Sequence, residues 1–466
     1  MTQPYAGLTV RPGDHGYDEA RRVFNGLVDR RPDRILRPSD TGEVAAAVRS
    51  VVDAAQPLTV YGGGHGVIGS AVVDGAVCLD LRALAAVEVL PEERIARVGG
   101  GATWGQVDAA TQQHGLAVTG GRVTTTGVAG LTLGSGSGWL ERRCGLTCDS
   151  LLSMEVVTAD GRVVTASAQE NPDLFWALRG GGGNFGVVTE FTFGLHEVGP
   201  LVLGGMLLYP GFLARDLIAF WRDLVQDAPD ALGSGVALVT APPAEFVPEP
   251  ARGQPAAGVI VCWAGDIEEG DAFLAPLRDF GPPAVDLVQP MPYTAVQQLL
   301  DQANPSGMHN YWSGDFLAEL PDEAVERLVA QAQPAPSPMT QIILVQGGGA
   351  ISRVGEDETA FGQRQAPYNL HYLGMWPPDH AEDERNIGFI RELAAAMKPW
   401  TTGNAYLNFI GEEGLGRVEA AFGPEKFARL QAIKDAWDPT NVFRHNQNIP
   451  PSRESVPAAA GTGAPG

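Results

Sequence analysis

Cysteine, positive charge and long apolar runs are all scarce in this sequence. Its 466 residues include four cysteines, Cys78, Cys144, Cys148 and Cys262, too few and too irregularly spaced for a disulfide framework or a zinc pattern. No His, Asp or Glu cluster accompanies Cys144 and Cys148 to complete a coordination shell, so the cysteines read as buried or free thiols and no metal is expected. Lysine and arginine number 32 against 55 acidic residues, for a formal charge of −23. Phosphate backbones and anionic membrane surfaces need basic stripes to neutralise them, so neither nucleic acid nor a membrane is an expected partner. No run of about 18 apolar residues occurs. The start Met1-Thr2-Gln3-Pro4-Tyr5 lacks the basic-then-apolar pattern of a signal peptide, which makes the cytoplasm the default expectation.

Glycine, by contrast, is abundant at 59 residues. A chain of this length suggests about two or three lobes, with room for a buried site between them. Hydrophobic residues at 44% and charged residues at 19% fit a compact globular protein. Asp40 with Glu43 marks a helix start, continued by the apolar spacing of Val44, Val48, Val51 and Val52. A strand, Pro57-Leu58-Thr59-Val60-Tyr61, then empties into the loop Gly62-Gly63-Gly64-His65-Gly66, and Val72 to Leu81 reads as strand and turn.

As strings, Gly64-x-Gly66-x-x-Gly69 and Gly181-x-Gly183-x-x-Gly186 both match the dinucleotide fingerprint. Their surroundings argue against it. The fingerprint ends a strand and opens a helix whose N-terminus faces pyrophosphate, whereas the first match runs from strand to strand and the second from a helix (Pro172 to Leu178) to a strand (Val187 to Phe193). A glycine loop without that helix still brings backbone N–H groups close to a phosphate, because residues lacking side chains permit close approach. A phosphate-bearing ligand is therefore expected.

The order of these segments resembles the berberine-bridge-enzyme-like flavoproteins, whose FAD domain is shared with vanillyl-alcohol oxidase relatives. The resemblance rests on the strand and Gly-Gly-Gly-His loop at 60–66, Gly101-Ala102-Thr103-Trp104-Gly105, Gly120 to Leu131, Cys144-Gly145-Leu146-Thr147, Asn171 to Trp176, and Gly183-Asn184-Phe185-Gly186-Val187-Val188. It covers nearly the whole chain. It implies an α+β protein with a two-lobed, discontinuous PCMH-type FAD-binding domain and an α+β substrate domain built on an antiparallel sheet. The expected bounds are 1–199 and 405–450 for the FAD domain and 200–404 for the substrate domain, with a disordered tail at 451–466, which is rich in Ala, Gly, Pro and Ser.

The resemblance also implies roles. His65 would bond the flavin 8α-methyl group, making the ring a stronger oxidant and preventing its loss. Many members add a cysteine tether where this chain has Val123, and a valine forms no thioether, so a single tether is expected. Cofactor contacts fall to Tyr61, Gly62, Gly63, Gly64, His65, Gly66 and Ser70 in the first loop. They continue at Gly121, Val123, Thr125, Thr126, Gly127, Gly130, Gly134, Gly138 and Trp139, then at Gly186, Val187 and Val188, and finally at Asn446 and Asn448 in the terminal segment Arg444 to Ile449. Thr126 matches a position associated with oxygen access, and a threonine there leaves oxidase and dehydrogenase both open, with an O2-using oxidase preferred.

Between residues 200 and 404, strand-like runs at Leu201–Tyr209, Val236–Thr240, Val259–Trp263, His309–Phe316 and Gln341–Gln346 alternate with helical patterns at Phe212–Val225 and Ala324–Ala332. On the strand Asn369 to Trp376, period two puts Tyr372 and Trp376 on one face and His371 and Met375 on the other, and one face could line a pocket. Ala405-Tyr406-Leu407-Asn408-Phe409 similarly directs Tyr406 and Asn408 to one face and looks like the family's Tyr-x-Asn motif. Tyr406 is the expected base or proton-network member, aided by Tyr372 and Asn408, although a phenol with an ordinary pKa of about 10 needs help to act near neutrality. The expected reaction is hydride transfer from a small alcohol, sugar, amine or natural-product intermediate to the flavin, by a monomer or homodimer. The alternative is a non-redox cyclase or lyase of secondary metabolism on the same scaffold.

Overall fold

The computed structural model describes residues 5–411 and 413–452. The expected tail, apart from Pro451 and Ser452, lies outside these residues. The helix Thr41–Asp53 begins where the Asp40 carboxylate accepts the Glu43 N–H at 2.8 Å, satisfying one of the donors that a helix start leaves unpaired. Its fully buried Val44, Ala47, Val48 and Val51 pack on a four-stranded sheet ordered Leu8–Val10, Arg34–Arg37, Val77–Asp80, Leu58–Tyr61. The last three strands run parallel, so Leu58–Tyr61 and Val77–Asp80 deliver the intervening glycine loop to one end of the sheet.

A second sheet is antiparallel, in the order Val87–Leu90, Ile95–Gly99, Val187–Gly194, Leu151–Val157, Val163–Ser167. Phe191, Phe193, Met154 and Val156 point from it into a core shared with the helix Pro172–Leu178 and with Phe427, Leu430 and Ile433 of the C-terminal helix Pro424–Trp437. This packing returns the end of the chain to the first lobe.

The third sheet takes its strands from residues 201 to 405, all antiparallel. Its centre runs Leu201–Pro210, Pro255–Trp263, Leu232–Thr240, Gln341–Gln346, Tyr368–Trp376, His309–Leu317, Thr401–Ala405. The helices Ala214–Val225, Asp322–Ala332 and Asp383–Met397 cover one face, where Ile342, Leu344, Leu370 and Tyr372 are buried with them. Alternation turns Ile343, Val345 and Leu373 to the opposite face, against Trp139 and Leu140 of the first lobe.

One expected strand is a turn. The ladder stops at Ala405, and the Phe409 N–H bonds the Tyr406 carbonyl at 2.9 Å, winding Leu407–Phe409 into a 3₁₀ turn. The four cysteines are free, three of them buried. Among the described residues no helix is long and apolar enough to cross a membrane.

Candidate active site

Where the first lobe meets the third sheet, a cleft of about 350 Å³ opens, bordered by the loop Gly62 to Ser70 on one side and by Ile343, His371 and Leu373 on the other. Glycine is required in that loop for a specific reason. A Cβ on Gly63 would lie 2.4 Å from both the N and Cα of Gly127, and a Cβ on Gly127 would lie 2.5 Å from the N of Gly63. The two glycine stretches are thus clamped backbone to backbone. Gly66 and Gly130, by contrast, face open space at the cleft, with nothing within 4 Å of the Cβ position. Among the described residues, no backbone N–H from Gly63 to Val67 donates to another protein group, so donors and room for a phosphate coincide. The site is chemically and sterically suited to a dinucleotide.

His65 sits at this cleft with its ring stacked on Phe24, centroids 4.0 Å apart and planes 19° off parallel. Its Nε2 is 3.2 Å from the Thr125 hydroxyl. Burial pushes its pKa down to about 4, so the imidazole is neutral and keeps a nucleophilic lone pair.

Of the other residues expected at the cofactor, Gly62, Gly64, Ser70, Gly121, Val123, Thr126, Gly134, Trp139, Gly186, Val187, Val188 and Asn446 line the cleft. Tyr61, Thr125, Gly138 and Asn448 do not. Tyr61 lies beneath the loop, its hydroxyl on the Arg22 carbonyl at 2.6 Å and its ring under the Arg82 guanidinium. Thr125 instead touches the His65 ring through its hydroxyl. Gly138 packs against the Gly120 carbonyl, 1.9 Å from where its Cβ would stand, and Asn448 does not border the cleft.

Neither expected tyrosine borders the cleft. Tyr372 is fully buried on the helix-covered face, so it does not reach the cleft; its neighbour His371 does, stacked on Phe409 at 4.0 Å. Tyr406 is buried behind the cleft, where its oxygen accepts the Ser137 N–H at 3.0 Å and the Asn408 side-chain amide at 3.2 Å. Burial raises its pKa to about 12. A phenol so placed supports the 134–138 loop through the Ser137 N–H and the Asn408 amide. Asn408 lines the cleft and anchors that loop through the Leu131 and Gly134 carbonyls, at 3.1 and 3.3 Å.

Three further groups were not legible as site residues. Arg122 borders the cleft, lies over the Trp139 ring at 4.7 Å, and bonds the Ser137 hydroxyl at 2.8 Å and Glu141 at 3.0 Å. Phe24 belongs to an irregular segment with no periodicity to betray it. Lys434, fully buried, donates to Asp438 and to the Asn184 carbonyl, both at 2.7 Å, tying the last helix to the cleft residue Asn184. Away from the cleft, the ligand-type atoms of His309, His380 and Asp383 lie within 4.8 Å of one another. There Asp383 accepts from Trp376 Nε1 at 2.8 Å and pairs with both imidazoles, at 2.8 and 2.7 Å.

Comparison with known proteins gives a consistent picture. A family model described as an FAD binding domain matches residues 32–167, and one described as berberine and berberine like matches residues 405–450. The chain is 30% identical over 460 residues to an uncharacterized FAD-linked oxidoreductase of Bacillus subtilis, covering 97% of this chain and 98% of that one. It is 30% identical over 459 residues to (R)-6-hydroxynicotine oxidase of Paenarthrobacter nicotinovorans, covering 96% and 97%. Its structure superposes on that of 6-hydroxy-D-nicotine oxidase from Arthrobacter nicotinovorans with a TM-score of 0.86 at 28% identity, over 96% of this chain and 99% of the other.

Proposed function

Since the chain belongs to the berberine-bridge-enzyme-like FAD-linked oxidoreductases, we propose that it holds FAD covalently through His65 alone and oxidises a small alcohol or amine, with O2 as electron acceptor. The observation that carries this reading is the neutral His65 ring, held between Phe24 and Thr125 at the edge of a glycine-walled cleft. Val123 borders the same cleft and has no thiol to offer, which supports one tether. Bound FAD supplies the two-electron acceptor for the hydrogen and electron pair of a substrate C–H bond.

The chain's own groups orient and enclose. The Gly63 and Gly127 backbones fix the loop that carries His65. Arg122, Ser137 and Tyr406 hold the stretch that ends at Trp139, and the apolar side chains Ile343, Val345 and Leu373 exclude water from the opposite wall. Water exclusion strengthens every electrostatic contact inside the cleft.

The purified protein should carry flavin fluorescence through a denaturing gel, and His65→Ala should not. Anaerobic addition of a substrate should bleach the flavin, and readmitted O2 should restore its colour. Wild-type protein without gel fluorescence removes the covalent assignment, and product formation without bleaching removes the redox one.

A further inference from the structure

One short segment of the chain grips the stretch beside His65 from across the cleft. Residues 121–127 include the cleft residues Gly121, Val123, Thr126 and Gly127. Their middle is a turn, closed by the Thr126 N–H on the Val123 carbonyl at 3.0 Å, and from it the Thr125 hydroxyl reaches to 3.2 Å from His65 Nε2. From the first lobe the turn receives the Trp104 and Gly105 N–H groups, on the Thr126 and Thr124 carbonyls at 3.0 and 2.9 Å.

The segment 293–304, between two strands of the third sheet, holds the same stretch through side chains. Gln297 is fully buried and donates to the Gly121 carbonyl at 3.2 Å and to Asp108 at 3.1 Å. Asp301 accepts both donors of Thr124, the N–H at 2.8 Å and the hydroxyl at 2.6 Å. Its own backbone is fixed, since its N–H bonds the Gln298 carbonyl and its carbonyl accepts the Asn304 N–H, each at 3.1 Å. Hydrogen bonds to a carboxylate are stronger than neutral ones, so Asp301 is the firmest of these contacts.

Asp301 also bears on the His65 ring by its charge, favouring the protonated imidazole, although burial outweighs it and the ring is neutral. Alkylation alters that balance. An imidazole with carbon bonded to one nitrogen and hydrogen to the other is a cation until that proton leaves, and a fixed negative charge nearby stabilises it. Resting on the covalent-flavin reading above, we propose that Asp301 promotes attachment of the cofactor to His65. It is a positioning residue: it fixes the turn whose Thr125 sets the imidazole, and its charge stabilises the imidazolium formed with the new bond.

The attachment is an oxidation. One C–H bond of the flavin 8α-methyl group breaks, and a His65 ring nitrogen forms the C–N bond. The electron pair of the C–H bond passes to the flavin ring, and the methyl proton and the imidazole N–H proton go with it, leaving the tethered flavin reduced by two electrons. O2 then takes the two electrons and two protons as hydrogen peroxide and restores the oxidised ring.

The test follows attachment itself. Full-length protein expressed with limiting flavin is incubated with FAD in air, and total bound flavin is compared over time with the fraction that stays fluorescent on the denatured chain. Asp301→Asn keeps the shape and loses the charge; it should bind FAD and attach it about tenfold more slowly or worse, at unchanged melting temperature. Asp301→Glu, which restores the charge in a longer side chain, should attach faster than Asp301→Asn, whereas a merely structural role would favour the isosteric amide. Thr125→Val should also slow attachment. Asp301→Asn attaching at the wild-type rate, or faster than Asp301→Glu, overturns the proposal. Should Asp301→Asn fail to fold, Thr125→Val decides, because Thr125 is exposed and its hydroxyl bonds only His65 among the described residues; wild-type attachment there overturns the proposal equally. A wild-type chain that binds FAD only reversibly removes the tether reading itself, whereas a tethered wild type beside an untethered His65→Ala keeps that reading whatever the Asp301 variants do.

Discussion

Gly63→Ala tests the clamp between the two glycine stretches most directly. The added methyl would stand 2.4 Å from the N and Cα of Gly127, where an ordinary carbon contact is about 3.5–4.0 Å. Both opposing atoms are backbone, so no rotamer change relieves the clash and one loop must retreat by about 1 Å. The 123–128 stretch is itself pinned, because its Thr126 carbonyl accepts the Trp104 N–H at 3.0 Å and its Val128 N–H bonds the Ala102 carbonyl at 2.9 Å. Overpacking against such a scaffold costs about 1–3 kcal/mol, a loss of about 1–3 °C at the roughly 1 °C per kcal/mol that the unfolding entropy of a chain this long implies. Thermal unfolding of the protein, with flavin content read from the ratio of 450 to 280 nm absorbance, should show Gly63→Ala losing both stability and flavin. Gly66→Ala, whose methyl enters open space, should keep the melting temperature of the flavin-free fold and lose flavin only. Gly388→Ala, also unobstructed and inside the helix Asp383–Met397, should gain about 0.5–1 kcal/mol. A Gly63→Ala protein with wild-type melting temperature and flavin content would refute the clamp.

Three other perturbations follow from the same geometry. Tyr406→Phe leaves the Ser137 N–H and one Asn408 contact without an acceptor, which should cost about 1–3 kcal/mol in denaturant unfolding; the pH profile of flavin reduction should keep its shape, and loss of a limb would show that the phenol is a base after all. Lys434→Met strips a buried carboxylate of its partner, so unfolding should lose about 3–5 kcal/mol and flavin content should fall with it, because Asn184 and Phe443 lose their tie. His371 is also a pH probe: with a folded pKa of about 3 against the ordinary histidine value of 6.5 when unfolded, the unfolded chain binds a proton that the folded chain refuses. Stability therefore falls as pH falls from 6.5 toward 3, by about 2 kcal/mol for this residue between pH 7 and 5. His371→Phe should show a correspondingly shallower acid slope in urea titrations, and an unchanged slope would place the ring in contact with water.

The cofactor end of this protein was legible because its determinants are local. A run of glycines constrains its own backbone, and a strand placed before it aims the loop, so Gly62 to Gly66 with His65 could be read as a ligand loop without knowing what packs on it. The helix starting at Asp40 and the helix-to-strand order around Gly181 to Gly186 are local in the same sense. The clamp of Gly63 on Gly127 and the stack of Phe24 on His65 were not legible, since each joins segments that only the fold brings together.

The substrate end shows the limit most clearly. Period-two alternation correctly sorted His371 from Tyr372 and predicted two faces for their strand. It could not say which face borders the cleft. Hydrophobicity usually settles that, but here helices bury one face of the sheet and the first lobe buries the other, so Ile342 and Ile343, or Tyr372 and Leu373, look equally internal in the sequence. By itself the sequence determined the cofactor class, the attachment histidine as a candidate and the alternating faces of the strands. Only the tertiary structure decided that His371 meets the cleft while Tyr372 and Tyr406 lie behind it, because a sheet covered on both sides carries no surface pattern to distinguish its wall from its core.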